Sequence, residues 1–331
     1  KNNDNSIFRR RWNKFKTLKR GYYSLIALLF LYIMSFFLPL LINNKALVVK
    51  YNNEYYFPII KGYISGETFG QDVPGEAKYR SLKETFKNDE NSKDWVLMPF
   101  YPYSPYEDIT YDGNKMYQPP SLKHWLGTDN TGRDVFARLI YGFRISVLFG
   151  LLLTTISSII GITAGAIQGY YGGRIDILGQ RFIEIWSGLP VLFLLIILSS
   201  FVEPNFWWLL LIMLLFSWMG LVGVVRAEFL RGRNLEYVRA ARALGLSNYR
   251  IMRKHILPNA LGPIMVNITL STAMFILQEA GLSFLGLGVP LNIPTWGNIL
   301  NVAQDLRILQ NYWWVWLPSG ITISLFVLAI N

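Results

Sequence analysis

The residues from Gly21 to Ile42 form an apolar run without one charged side chain. Coiled into an α-helix, such a run crosses the ~30 Å hydrocarbon core of a bilayer, where every backbone N–H and C=O must find its partner within the segment. Five more apolar runs follow, at about Phe143–Gln168, Phe182–Val202, Phe206–Val225, Ile256–Ala280 and from Tyr312 onward. The expected fold is an all-α integral membrane protein with six transmembrane helices. Cysteine is absent, so disulfides, thiolate nucleophiles and Cys-ligated metals are unavailable to it. The formal charge of +11 is concentrated beside the apolar runs, where basic residues mark the cytoplasmic side of a membrane; nucleic-acid binding is not expected.

Charge placement orders the segments. Residues 1–20 carry Arg9, Arg10, Arg11, Lys14, Lys16, Lys19 and Arg20 with Trp12 and Phe15 between them. This reads as a cytoplasmic basic segment, either a helix lying on the anionic leaflet or a solvated tail that only sets topology. Residues 21–42 are too long for a signal-peptide core and lack a small-residue cleavage site, so they read as an uncleaved first span. The chain starts at Lys1 without Met and stops at Asn331 inside an apolar run, so a few residues are expected beyond both ends and the last helix is expected to be incomplete.

Residues 43–141 are polar and rich in Tyr, Pro and Gly, with no spanning run. They are expected to form an extracytoplasmic insertion, with short strands near Ala46–Val49 and Tyr55–Ile60 and turns at Pro99, Pro102 and Pro105. It either buries a small core of its own or leans on the membrane domain. Residues 142–331 then form a five-helix core. Its loop 226–255 holds Arg226, Arg231, Arg233, Arg239, Arg242, Arg250, Arg253 and Lys254 against Glu228 and Glu236, whereas residues 283–311 hold only Asp305 and Arg307. The first loop is assigned to the cytoplasm, and so are both termini. Ser157, Gly161, Gly165 and Gly169 form a small-residue stripe that invites close packing by another helix, of this chain or another.

Catalytic chemistry has no visible carrier. The sequence holds no phosphate-binding Gly-x-x-x-x-Gly-Lys-Ser/Thr loop, no His-Glu-x-x-His and no Gly-x-Ser-x-Gly. The two histidines, His124 and His255, fall on opposite sides of the membrane in this topology, so they cannot share a metal or a proton. Glu184 follows Arg181 at helical spacing, which favours a structural ion pair over a gating role. Glu279, beside Gln278, is expected at the membrane interface rather than buried as a substrate ligand. Neither a nucleotide site nor a proton-carrying chain is present, so uphill transport would draw its energy from another subunit.

One segment is built to touch something. As a helix, Glu236–Gly245 places Tyr237, Ala240, Ala241 and Leu244 on one face, with Arg239 and Arg242 elsewhere. Small alanines at the centre suit a groove in another protein; an interfacial helix held on anionic lipid by its arginines is the alternative. Gly245 supplies a stop, Ser247 an N-cap for the next helix, and Pro258 enters the fifth span.

The run from Glu236-Tyr-Val-Arg-Ala-Ala-Arg-Ala-Leu-Gly245 through His255-Ile-Leu-Pro-Asn259 resembles the EAA loop of ABC-importer permeases of the oligopeptide, dipeptide and nickel group. Leu126-Gly-Thr-Asp-Asn-Thr-Gly-Arg-Asp-Val135 with Tyr141-Gly-Phe-Arg-Ile-Ser146, and Glu279-Ala-Gly-Leu-Ser-Phe-Leu-Gly-Leu-Gly288 with Pro294-Thr-Trp-Gly297, resemble the same family. The likeness covers almost the whole chain and is greatest to the C-type subunit. Tyr51-Asn-Asn-Glu-Tyr-Tyr-Phe-Pro58 and the run Asn205-Phe-Trp-Trp208 to Val225-Arg-Ala-Glu-Phe-Leu-Arg231 resemble its YejE-type branch, associated with uptake of peptides and peptide antibiotics. Arg239 stands where the older family consensus has Glu; this bears on any salt bridge proposed there, not on docking.

The resemblance implies a six-helix, type I importer permease fold in a bacterial cytoplasmic (inner) membrane. It implies an ATPase-coupling role for Glu236, Tyr237, Val238, Arg239, Ala240, Ala241, Leu244 and Gly245. It further implies a second, homologous B-type permease, one or two ABC ATPase subunits that bind the ATP and Mg, an extracytoplasmic substrate-binding protein, and surrounding lipid. No cofactor is expected on this chain, and no substrate-binding residue is singled out. The rival readings are a membrane scaffold, an ATPase-independent channel, or the same permease carrying nickel or another small solute.

Overall fold

The computed structural model describes residues 12–13, 15–72, 75–89, 93–108 and 116–330. Arg9, Arg10, Arg11 and Lys14 of the basic segment lie outside the described residues. Contacts divide the chain into two compact units, Lys1–Ile145 with Asn292–Ile321 and Ser146–Leu291 with Thr322–Asn331.

In the first unit, helix α1 (Lys19–Met34) continues through a 3-10 turn into Leu38–Leu41. Then come strands β1 (Val48–Tyr51), β2 (Glu54–Tyr56) and β3 (Trp95–Leu97), an antiparallel sheet of order β2-β1-β3 with Val49 opposite both Tyr56 and Val96. Asn52 and Asn53 turn the β1–β2 hairpin at positive φ, a conformation Asn tolerates. Helix α2 (Tyr79–Asn88) turns Tyr79 and Leu82 inward, and with Val49, Phe69 and Val96 they close a core belonging to this segment. The first strand lies two residues later than the spacing suggests, and Pro58–Lys61 is a helical turn, because Pro58 cannot donate to a ladder but fits a helix start. Pro105 begins a turn, whereas Pro99 and Pro102 sit in irregular backbone.

Five described helices are long and apolar enough to cross a membrane: Lys19–Leu41, Val135–Tyr171, Phe206–Gly232, Asn248–Phe284 and Trp313–Ile330. A sixth crossing is formed if Gly173–Ser187 and Val191–Ser199, bent by 59°, act as one broken span. We label these α3 (Val135–Tyr171), α4 (Gly173–Ser187), α5 (Val191–Ser199), α6 (Phe206–Ser217), α7 (Met219–Gly232), α8 (Glu236–Ala243), α9 (Leu257–Phe284), α10 (Trp296–Asn301), α11 (Leu306–Asn311) and α12 (Trp313–Ile330).

Three boundaries differ from the sequence expectation. Helix α3 starts at Val135, not Phe143, so it runs across the expected boundary at residue 141; Asp134 Oδ1 accepts the Ala137 N–H at 2.8 Å and caps it. The expected third span breaks at Gly188-Leu189-Pro190, where proline withdraws its amide. The expected loop 226–255 is largely helical: α7 runs to Gly232, and one helix rises from Asn248 through a π segment, Met252–Ile256, into α9. Arginines end an apolar run without ending a helix.

In the second unit the small-residue stripe has its partner in the same chain. A Cβ on Gly161 or Gly165 would stand 2.8 Å from the Trp218 or Val222 carbonyl oxygen, and one on Gly169 2.5 Å from that of Arg226. Helix α3 therefore lies backbone to backbone on the Trp218–Arg226 stretch, and Asp176 of α4 pairs with Arg226 through Nη2 at 2.7 Å.

Candidate functional site

The three family-like stretches have different surroundings. In the first, Gly127 and Gly132 take positive φ, and Asp129 accepts from the Thr131 and Arg133 amides at 2.9 Å while pairing with Arg133 Nε at 2.9 Å. Tyr101 donates its hydroxyl to Asp134 Oδ2 at 2.6 Å, and His124 Nδ1 lies 2.8 Å from the same oxygen. Burial first, then the Asp134 charge, raises the Tyr101 hydroxyl well above a tyrosine's ordinary value, so it stays protonated and donates. His124 is thus held in a buried structural network.

Of the third stretch, Trp296 is fully buried and donates to the Leu139 carbonyl at 3.2 Å, and Thr295 caps α10 through the Asn298 amide at 3.1 Å. Glu279, expected at the membrane interface, is 1% exposed within the protein. Its carboxylate accepts the Ser146 hydroxyl at 2.9 Å and that of Ser283 at 2.8 Å, which offsets the cost of burial. Arg181 and Glu184 form the expected ion pair at 2.6 Å, exposed on α4.

The middle stretch differs because half of it faces outward. Helix α8 follows α7 after a tight turn in which Leu235 donates to the Gly232 carbonyl at 3.2 Å. Its inner side is Val238 and Ala241, 0% and 4% exposed, packed with Tyr170, Phe229, Ile251, Ile256, Ala260 and Ile264 in one apolar cluster. This corrects the expected stripe: Ala241 belongs to the chain's own core, because the wheel position beside Val238 faces the root of α9. Tyr237, Ala240, Leu244 and Gly245 stay exposed, as do Glu236 and Arg239; Leu244 is 81% exposed, unusual for a large apolar side chain.

Polar contacts fix the orientation of α8. Arg242 donates to the Tyr170 hydroxyl at 3.2 Å and lies 5.6 Å from its ring centre; that hydroxyl donates to Asn248 Oδ1 at 2.8 Å. Asn259 of α9 donates to the Tyr237 hydroxyl at 3.1 Å. The end is a Schellman motif: Gly245, at φ +77°, donates to Arg242 O at 3.0 Å and Leu246 to Ala241 O at 3.2 Å. Ser247 holds the N-cap position of the next helix, without a side-chain capping bond. Glu236 in the first turn and Arg242 in the last complement the helix dipole.

Among the described residues no group of three or more His, Cys, Asp or Glu side chains is placed to hold a metal ion. Fold and site define a multi-pass helical membrane protein that presents a short helix, packed on one side and exposed on the other. Residues 139–331 match the family of binding-protein-dependent transport system inner membrane components, and the chain belongs to that family as a non-catalytic ABC-importer permease subunit.

It is 48% identical over 306 residues to the inner membrane ABC transporter permease protein YejE of Escherichia coli K12, covering 92% of this chain and 87% of that one. It is 43% identical over 333 residues to the peptidoglycan transport system permease protein YejE of Agrobacterium fabrum, covering 92% and 85%. Identity to the dipeptide transport system permease protein DppC of Bacillus subtilis is 38% over 236 residues, covering 71% and 73%. Among solved structures, an inward-facing MetNI methionine ABC transporter is similar at 16% identity and TM-score 0.47, over 58% of this chain and 91% of that one.

Proposed function

We propose that the chain forms half of a translocation path for peptides, beside a second, homologous permease, and that α8 is its contact with an ATPase subunit. The observation that carries this reading is the two-sided packing of α8. Val238 and Ala241 root it in the same cluster as α7 and α9, while Tyr237, Ala240 and Leu244 are left for a partner. A displacement of the exposed face would then pass into the spans as a rigid-body motion. ATP binding on the partner supplies the differential affinity that biases inward- and outward-open states.

The names of the relatives, which refer to dipeptide and peptidoglycan transport, support a peptide-bearing cargo. The basic residues around α8 support a cytoplasmic position for it and for both termini. The segment between α1 and α3 then lies outside, where it and residues 283–311 are positioned to receive a substrate-binding protein.

The test is uptake of a labelled tripeptide into vesicles holding the reconstituted complex with its binding protein. Import that requires ATP hydrolysis is expected. Flux without nucleotide would establish a channel, and absence of both flux and bound ATPase would establish a scaffold.

A further inference from the structure

Helix α9 is not entered by a regular α-turn. Its root, Met252–Ile256, is a π segment after which the Leu257 N–H reaches back five residues to the Met252 carbonyl. Pro258 follows at the start of α9. An α-ladder continued through this point would ask residue 258 to donate to the Lys254 carbonyl, but proline has no amide hydrogen and its ring crowds that oxygen. The wider turn resolves the conflict, and single π turns of this kind are frequent at functional sites.

This root is tied to α8 on two sides. On the inner side Val238 and Ala241 share an apolar cluster with Ile251 and Ile256. On the outer side stands Asn259, exposed in the first turn of α9. Its side-chain amide donates to the Tyr237 hydroxyl at 3.1 Å and to the His255 carbonyl at 2.9 Å. Both N–H bonds of one side chain are thereby committed, one to the first turn of α8 and the other to the π segment. Arg242 holds the last turn of α8 through the Tyr170 hydroxyl, which donates to Asn248; Asn259 is its counterpart at the first turn. The covalent connection, residues 244–247, is non-helical, so stiffness between the two helices rests on these side-chain contacts.

We propose that Asn259 is a positioning residue for energy coupling: by holding Tyr237 against the π segment, it delivers a displacement of α8 to the root of α9. The inference rests on α8 being the ATPase contact and adds the route by which that contact reaches a membrane span.

Hydrogen exchange of residues 252–259 in the assembled complex, followed by mass spectrometry, reads this route directly. In the wild type, exchange of the segment should differ about fivefold between a non-hydrolysable ATP analogue and ADP, the scale of one net hydrogen bond. Asn259→Ala should keep the ATPase bound and abolish that difference. Asn259→Asp, of nearly the same size, still accepts from the Tyr237 hydroxyl but cannot donate to the His255 carbonyl. It should behave as Asn259→Ala; a wild-type response from it would remove the π segment from the route and overturn the proposal. In vesicles both variants should lower the labelled tripeptide imported per ATP hydrolysed by about fivefold while hydrolysis continues, a split that simple unfolding does not produce.

A nucleotide response in Asn259→Ala equal to that of the wild type overturns this inference alone, as does a wild-type segment that ignores nucleotide while the ATPase is bound. Loss of the ATPase from Asn259→Ala would make Asn259 a docking residue and also overturns it. A wild type from which no ATPase copurifies overturns the coupling reading together with this inference.

Discussion

Ala240 and Ala241 are chemically identical neighbours with opposite surroundings, and the difference is what makes α8 testable. Ala241 is 4% exposed within the apolar cluster, whereas Ala240 faces out. Ala241→Glu buries an unpaired carboxylate and should destabilise the second unit by several kcal/mol, on the order of 3. Ala240→Glu should shift stability by no more than about 0.5 kcal/mol. Thermal unfolding of the two purified variants checks this, and equal melting temperatures would contradict the packing described. Tyr101 gives a pH dependence with a definite sign. Its hydroxyl is held neutral in the fold above the ordinary value of 10.0. Below pH 10 the contribution is therefore fully present, and it is lost as the pH rises past 10, where the unfolded chain releases the proton and the folded one does not. Tyr101→Phe should lower stability by about 1–3 kcal/mol at neutral pH, by removing a hydrogen bond from buried Asp134. It should also flatten the alkaline decline; an unchanged slope in a pH series of melting temperatures would remove Tyr101 from the account.

At the scale of elements, Gly161, Gly165 and Gly169 of α3 lie against a facing backbone, whereas Gly220, Gly223 and Gly262 of the second unit have no such neighbour. Gly165→Leu would drive a side chain into the Val222 carbonyl and the Val225 Cβ, each 2.8 Å from the first added carbon. It should abolish the packing of α3 on α7, seen as loss of the monodisperse peak in detergent. Gly262→Ala has no neighbour within 4 Å, so it should be neutral or stabilise α9 by up to about 1 kcal/mol. The stripe itself was legible from its spacing, but not its partner, because spacing reports a surface and not what lies on it. The same limit explains α8: the 3.6-residue period put Tyr237, Ala240, Ala241 and Leu244 on one face, whereas the cluster with Ile251 and Ile256 takes Ala241 into the chain's own core. Val238, an apolar β-branched residue between Tyr237 and Arg239, was the available sign of an inner side. Hydropathy located the five helices long and apolar enough to cross, left the broken pair Gly173–Ser187 and Val191–Ser199 as one run, and misplaced helix ends at Val135, Gly232 and Asn248, since partitioning into lipid stops at the first arginines while helical hydrogen bonding does not. The burial of Glu279 was out of reach for a related reason: its hydroxyl partner Ser146 is 133 residues away in sequence, beyond any local pattern.

For the whole molecule, the proposal turns on which side of the membrane each element occupies and on what α8 meets there. Single cysteines in the cysteine-free chain make the first point measurable in intact cells. Leu122→Cys, at a side chain 99% exposed, should react with a membrane-impermeant maleimide from outside, and Tyr249→Cys, 65% exposed and outside the face of α8 offered to the ATPase, only after permeabilisation. The reverse pattern would invert the topology. The second point is the central claim, and the direct measurement is copurification of ATPase subunits with the tagged chain from native membranes, for the wild type and for an Ala240→Glu, Leu244→Asp double variant. Both substitutions lie on the exposed face of α8, so the variant should insert, pair with the second permease and keep its melting temperature while losing the ATPase and its hydrolytic activity. Retention of the ATPase at wild-type stoichiometry by a normally inserted variant would contradict the assignment of α8 as the coupling helix.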